Sequence, residues 1–280
     1  ERIQVGLLNI LEERDVQIRG YKIRLPIDVM LVASANPEDY TNRGRIITPL
    51  KDRFGSQIRT HYPLDVDTEI NIVRQEARPA SIGDVDVSMP FFMEQIVATF
   101  SQHARASSQV NQRSGVSVRL SVSNYEILCA NAVRRALRAG ETHVAPRISD
   151  LEALASSTSG KIEIESLEEG RESAILQQLI SGAVLTVYKQ LAQHEKMRDV
   201  IAAFEEGGVA HVGGDRGSLE QATLIMEMPS LREPVLALVG GDESPAVVAS
   251  AVEFVLEGLH LSKRLNKDAM GNRATYRSRS

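Results

Sequence analysis

A single cysteine, Cys129, leaves this chain without an internal disulfide or a thiolate zinc cluster, and its natural setting is the reducing cytoplasm. No apolar run approaches the roughly 18 residues that a membrane span needs. The longest, around Ile180–Val187, is interrupted by Ser181, Gly182 and Thr186. Six histidines show no paired-ligand spacing, and His194-Glu195 lacks the second histidine of HExxH, so no side-chain metal site is expected. Positive charge is not in excess either. A net charge of −5 argues against generic coating of nucleic acid. What remains, 42% hydrophobic and 25% charged residues, is globular composition and excludes a disordered chain.

Ile3, Val5, Leu7, Leu8 and Leu11 place an apolar stripe on one face of a helix. Two alternating runs between Asp15 and Pro26 flank Arg19-Gly20, the pattern of a hairpin. The continuous apolar run Val29–Ala33 predicts a strand buried on both faces of a parallel sheet. Pro37 then holds Asn36 extended at that strand's carboxyl end, where open α/β sheets place ligands. A basic loop over 40–48 leads to Leu50-Lys51-Asp52-Arg53-Phe54 and a short strand over 57–61. From Asp65 the periodicity is helical, with helices expected near 66–78, 90–107, 117–138, 148–158, 170–193, 216–226 and 245–264. The Gly-rich stretch 207–217 reads as a connector. The tail from Lys263, with six basic residues against one acidic, reads as a frayed, solvated terminus.

Three polar residues stand out against this pattern. Asn36 ends a strand, Arg53 follows Asp52, and Arg119 sits in the first turn of a helix that Ser117 is placed to cap. An asparagine can orient a water, and an arginine can neutralise charge developing on a transferring phosphoryl group. Singly, each has a plainer reading: Asn-Pro is usually a turn, and Asp-Arg usually a surface ion pair.

In order and spacing, the sequence resembles the AAA+ ATPases of the magnesium-chelatase-like and MoxR-like group. The matching text is Glu1–Leu8 with Leu11-Glu12-Glu13, the hairpin, Val32–Glu38, Leu50–Phe54, Gly115–Arg119 and Ala145–Leu151, covering roughly the first 160 residues. The resemblance implies the rear half of an α/β P-loop core over 1–64, with the hairpin inserted before sensor 1 and directed towards a ring pore. It implies an all-helical lid over 65–160, followed by a helical extension over 161–265 and a basic flexible tail over 266–280. It casts Asn36 as sensor 1, which positions the attacking water, Arg53 as the arginine finger given to a neighbouring subunit, and Arg119 as sensor 2. It also implies ATP and Mg2+ as cofactors, a homo-oligomeric ring, and a partner carrying a von Willebrand A-type domain.

The departures matter as much as the match. A P-loop needs G-x-x-x-x-G-K-[ST], whose glycine amides cradle the phosphates. Gly160-Lys161 is followed by Ile162 and preceded by Ala155 at the first glycine's place. The nearest approach to a Walker B strand, Val235–Val239, meets Asp242-Glu243 only after two glycines, and it reads as a structural loop. The family places both motifs ahead of the opening helix, so they are expected upstream of Glu1, and ATP hydrolysis is expected of the intact protein rather than of these 280 residues alone.

Several alternatives stay open at this level. Arg43, Arg45 and Arg59 compete with Arg53 for the finger role, though only Arg53 has the Asp-Arg-Phe context. The hairpin carrying Tyr21 and Arg24 is either a working loop or a solvated ornament. Cys129, within an apolar helical stretch, reads as a buried small residue. A non-catalytic regulatory protein that kept the lid is the alternative function, and a sigma-54-type transcription activator is a weaker one.

Overall fold

The computed structural model describes residues 2–12, 15–24, 30–35, 46–79, 82–111, 115–164, 171–192 and 194–279. The chain forms two compact units, Glu1–His61 and Tyr62–Ser280. The boundary falls three residues before Asp65, where helical periodicity begins.

The first unit opens with the expected amphipathic helix α1 (Arg2–Glu12). The hairpin follows as β1 (Asp15–Ile18) and β2 (Tyr21–Arg24), antiparallel, with Ile18 opposite Tyr21. Arg19 (φ 52°) and Gly20 (φ 86°) both occupy the left-handed region, as a two-residue turn matched to strand twist requires. A short helix α2 (Thr48–Lys51) buries Leu50, and Ile47 at its start donates its N–H to the Gln4 side chain of α1 at 2.8 Å.

Two strand readings in this unit are corrected. Residues 30–35 pair with no described strand, and Met30 and Val32 are 86% and 79% exposed. Residues 57–61 likewise form no strand, with Ile58 87% exposed. An apolar run becomes a buried parallel strand only when strands on either side satisfy its backbone, and no described strand lies beside these two.

The second unit begins with α3 (Val66–Glu76), capped by the Asp65 carboxylate accepting from Thr68 N–H at 2.7 Å. It continues with β3 (Asp86–Val87), α4 (Phe91–Ala106), α5 (Arg119–Ala139) and β4 (His143–Val144), with β3 and β4 pairing in parallel. A 3₁₀ turn (Ile148–Ala153) runs into α6 (Leu154–Thr158). Next come α7 (Arg171–Leu191), α8 (His194–Glu205), β5 (Ala210–Gly213), α9 (Ser218–Ala222), α10 (Leu224–Glu227) and α11 (Arg232–Leu236). The unit closes with α12 (Pro245–Leu261), β6 (Leu265–Met270) and β7 (Arg273–Ser278).

Helix α12 is buried on all sides from Ala246 to Leu259, and apolar apart from Ser250, Glu253 and Glu257, so it forms the axis of the core. Phe254 stacks on Phe92 of α4 at 4.6 Å and meets the Tyr188 edge of α7 at 6.0 Å. At Gly258 a Cβ would lie 2.0 Å from the Tyr188 ring, so only glycine lets α7 approach this closely. One hydrophobic core therefore runs from Phe92 to Tyr276. The expected division at 160 between lid and extension does not divide the packing.

The all-helical reading of this unit and the flexible tail over 266–280 are also corrected. Strands β5, β7 and β6 form an antiparallel sheet in that order, with Ala210 opposite Tyr276 and Lys267 also opposite Tyr276. The tail is thus the central strand and one edge of a sheet, and Tyr276 is buried. The stretch 207–217 carries the other edge rather than a connector alone, and α8 and α11 are additional helices. The protein is mixed α and β, with helix predominating.

Candidate functional site

Asn36 lies outside the described residues, as do Arg43 and Arg45. Arg53 belongs to the first unit and Arg119 to the second, and each is described within its own unit.

Arg53 follows α2 by two residues. Its Nη1 donates to the Pro49 carbonyl at 2.7 Å, and its Nη2 lies 2.6 Å from the Glu12 carboxylate at the end of α1. The side chain is about one-quarter exposed, and its Nε is buried without a hydrogen bond among the described residues. The guanidinium is therefore an ion-pair partner inside its own unit. Arg59 is exposed.

Arg119 is positioned by what precedes it. Arg105 of α4 forms a two-pronged pair with the buried Glu69 of α3, at 2.7 and 2.8 Å, and Ser121 of α5 donates to the same carboxylate at 2.5 Å. Arg105 Nε also donates to the Val116 carbonyl at 2.9 Å, while Val116 N–H donates to the Tyr62 hydroxyl at 3.2 Å. The Arg105 guanidinium lies over the Tyr62 ring at 4.8 Å, a cation–π contact. Gly115 turns with φ 69°, and a Cβ there would meet the Tyr62 hydroxyl at 2.5 Å. Ser117 then accepts from Arg119 N–H at 3.2 Å, close to the expected cap. Gly115–Arg119 is thus a rigid lead-in that delivers Arg119, exposed, at the first turn of α5. The Arg119 guanidinium has no partner among the described residues, whereas Arg105, Arg135 and Arg147 are each engaged.

A second constellation, missed from the sequence, lies between α7, α12 and the β6–β7 hairpin. Glu253 and Glu257 are one turn apart on α12 and line one cleft. Glu253 accepts from Ser149 N–H at 2.8 Å and from Gln221 Nε2 at 2.6 Å. Glu257 Oε2 accepts from Lys267 Nζ at 2.7 Å and from the Tyr276 hydroxyl at 2.5 Å. Burial, and then the Glu257 charge, hold the Tyr276 phenol well above its ordinary range, so it stays a donor. Beside this lies Arg147, fully buried, with Nη2 on Ser218 Oγ at 2.8 Å and Nη1 on the Arg216 carbonyl at 3.0 Å. The i, i+4 glutamates in an otherwise apolar helix were the available signal, since carboxylates are seldom buried without partners.

Among the described residues no group of three His, Cys, Asp or Glu side chains is placed to hold a metal ion, and no helix is long and apolar enough to cross a membrane. No family model matches the chain, and neither a curated protein nor a solved structure is found that matches it.

Proposed function

We propose that this chain carries the sensing and trans-acting part of an AAA+ ATPase of the magnesium-chelatase-like or MoxR-like group, working as a cytoplasmic ring. The observation that carries this reading is Arg119: exposed, unpartnered among the described residues, and preceded at the start of a long helix by a partly buried hydrogen-bond network. That is the disposition needed of a cation that reports a phosphate to the helical unit behind it. The order of the resembling segments supports the same reading, as does the hairpin directly after α1. In this reading Asn36 orients the attacking water, and Arg53 leaves Glu12 for a neighbouring subunit's nucleotide. The ring remodels a partner protein, one with a von Willebrand A-type domain, or drives metal insertion into it.

ATP and Mg2+ are not fitted by the residues present. The sequence has no phosphate-cradling glycine loop, and the described residues have no metal-binding cluster. Both would be held by residues outside these 280. The alternative reading is a non-catalytic regulatory protein, and what precedes Glu1 discriminates the two.

The test is the mass and amino-terminal sequence of the protein isolated from its own cells, together with its ATP turnover. A longer protein with a glycine-rich loop ahead of Glu1 and with turnover supports the ATPase. A product that starts near Glu1 and neither binds nor hydrolyses ATP replaces it with the regulatory reading.

A further inference from the structure

Tyr62 is the first residue of the second unit, joined directly to His61 at the end of the first. Pro63 restricts the backbone of Tyr62, and Asp65 then caps α3, so the segment between the units and α3 is short and stiff. The Tyr62 side chain reaches a stretch 54 residues further along the chain, where its hydroxyl accepts from Val116 N–H at 3.2 Å. Its ring lies under the Arg105 guanidinium at 4.8 Å, and Arg105 Nε donates to the Val116 carbonyl at 2.9 Å. Both polar backbone groups of Val116 are thus held from outside α5, one by Tyr62 and the other by the cation resting on its ring. We infer that Tyr62 is a positioning residue for Arg119, tying the junction between the units to the first turn of α5.

The link from Val116 to Arg119 is the helix cap. Ser117 Oγ accepts from Arg119 N–H at 3.2 Å, and the Ser117 carbonyl accepts from Leu120 N–H at 2.9 Å. The first N–H groups of a helix have no internal acceptors, and the turn frays when its cap is lost. On the other side Gly115 sits at φ 69°, a pivot that suits glycine. With Val116 held, Ser117 is placed to cap, and the turn carries Arg119 in one position. With Val116 released, the chain swings at Gly115, the cap is lost and Arg119 frays with the turn. These two arrangements are the two-state element that coupling between sites requires. Arg105 stays on the fully buried Glu69 in both, so Tyr62 is the member that moves with the junction. A ligand on Arg119 favours the tied junction by the same free energy with which the tied junction favours the ligand. The consequence for ATP rests on the sensor reading of Arg119, whereas the tether itself does not.

The test is amide hydrogen exchange in the full 280-residue chain carrying Tyr62→Phe, which keeps the ring under Arg105 and removes only the hydroxyl. Loss of one neutral hydrogen bond predicts exchange about fivefold faster at Val116. The same acceleration is expected at Leu120 and Val122, whose N–H groups bond to the Ser117 and Val118 carbonyls within the first turn. The amide of Val252, deep in α12, should be unchanged. In the intact protein Tyr62→Phe is expected to weaken binding of a fluorescent ATP analogue about fivefold, and to have no effect in an Arg119→Ala background. A residue that acts through Arg119 has nothing to act on once Arg119 is gone, whereas a merely structural residue weakens binding in both backgrounds. Unchanged exchange at Val116 and Leu120, equal acceleration at Val252, or equal weakening with and without Arg119 overturns the proposal. If Arg119→Ala alone leaves affinity unchanged, the sensor reading fails and the exchange result decides the tether by itself.

Discussion

The Arg53 guanidinium lies 2.6 Å from the carboxylate of Glu12, so an arginine read as acting on a neighbouring subunit is held within its own unit. The pair is partly exposed, with side-chain exposures of 28% and 54%, and such pairs contribute about 0–1 kcal/mol. On the proposed ring reading, a phosphate in a dry intersubunit site would be a stronger partner, and the Glu12 contact would be the resting position that Arg53 leaves.

For the intact protein, Arg53→Ala is expected to abolish ATP turnover while ATP binding is retained. Glu12→Gln removes the resting partner only, and it should leave turnover at or above the parent level and unfolding within about 1 kcal/mol. Paired turnover and nucleotide-binding assays on both variants separate the roles. Loss of turnover in Glu12→Gln alone would make the pair structural and remove Arg53 from the chemistry.

Arg119→Ala deletes an exposed side chain with no described partner, so folding stability should move by no more than about 0.5 kcal/mol. Titration of the intact protein with a fluorescent ATP analogue is expected to show weaker binding by about tenfold, the worth of one charged hydrogen bond. Undiminished affinity together with undiminished turnover would count against Arg119 as the sensor.

Tyr276→Phe removes the hydroxyl that donates to Glu257 and leaves that carboxylate with Lys267 alone. Loss of a hydrogen bond to a buried charge predicts destabilisation of about 1.5–3 kcal/mol in urea unfolding. Truncation before Leu265 should be more severe, since it takes away two of the three strands in the sheet. A truncated chain that unfolds like the parent would restore the reading of a solvated tail.

Cys129 is buried, and its thiol is pushed up to about 12 from an ordinary 9.0, chiefly by desolvation and then by the Glu126 carboxylate. Tyr125 and Tyr188 are likewise pushed to about 12 from 10.0 by burial. Above pH 9 the unfolded thiol ionises while the folded one stays protonated. Stability is therefore unaffected by these groups below that pH, and it falls as pH rises from about 9 to about 12. Unfolding midpoints across that window check the sign. A thiol reagent at about pH 8 should modify Cys129 only after denaturation.

How much of this was legible varies with the range of the interactions involved. Helix α1 and all the long helices except α8 announced themselves because one apolar face repeats every turn, a property of the local chain. The β1–β2 hairpin did so because alternation and Arg19-Gly20 agree on the same turn. The β6–β7 hairpin did not, since Asn266, Lys267, Asp268 and Arg277 are half-exposed or exposed polar positions, and β7 pairs with β5 some sixty residues earlier. The apolar run at 29–33 failed in the opposite direction: its composition suits a buried strand, but a strand needs neighbours to pair with.

Composition and periodicity alone determined that the chain is globular, that helix predominates after about residue 65, and that Gly115–Arg119 leads into a helix. Tertiary structure alone decided that Tyr276 belongs to the core and that the second unit is undivided. It also decided that Arg119 has no partner among the described residues where Arg53 is engaged, and that Glu253 and Glu257 line a common cleft. The physical reason is the reach of each force. Periodicity records which face of a helix or strand avoids water, whereas the partner of a buried charge or strand edge comes from wherever the chain returns, and local sequence does not record that meeting.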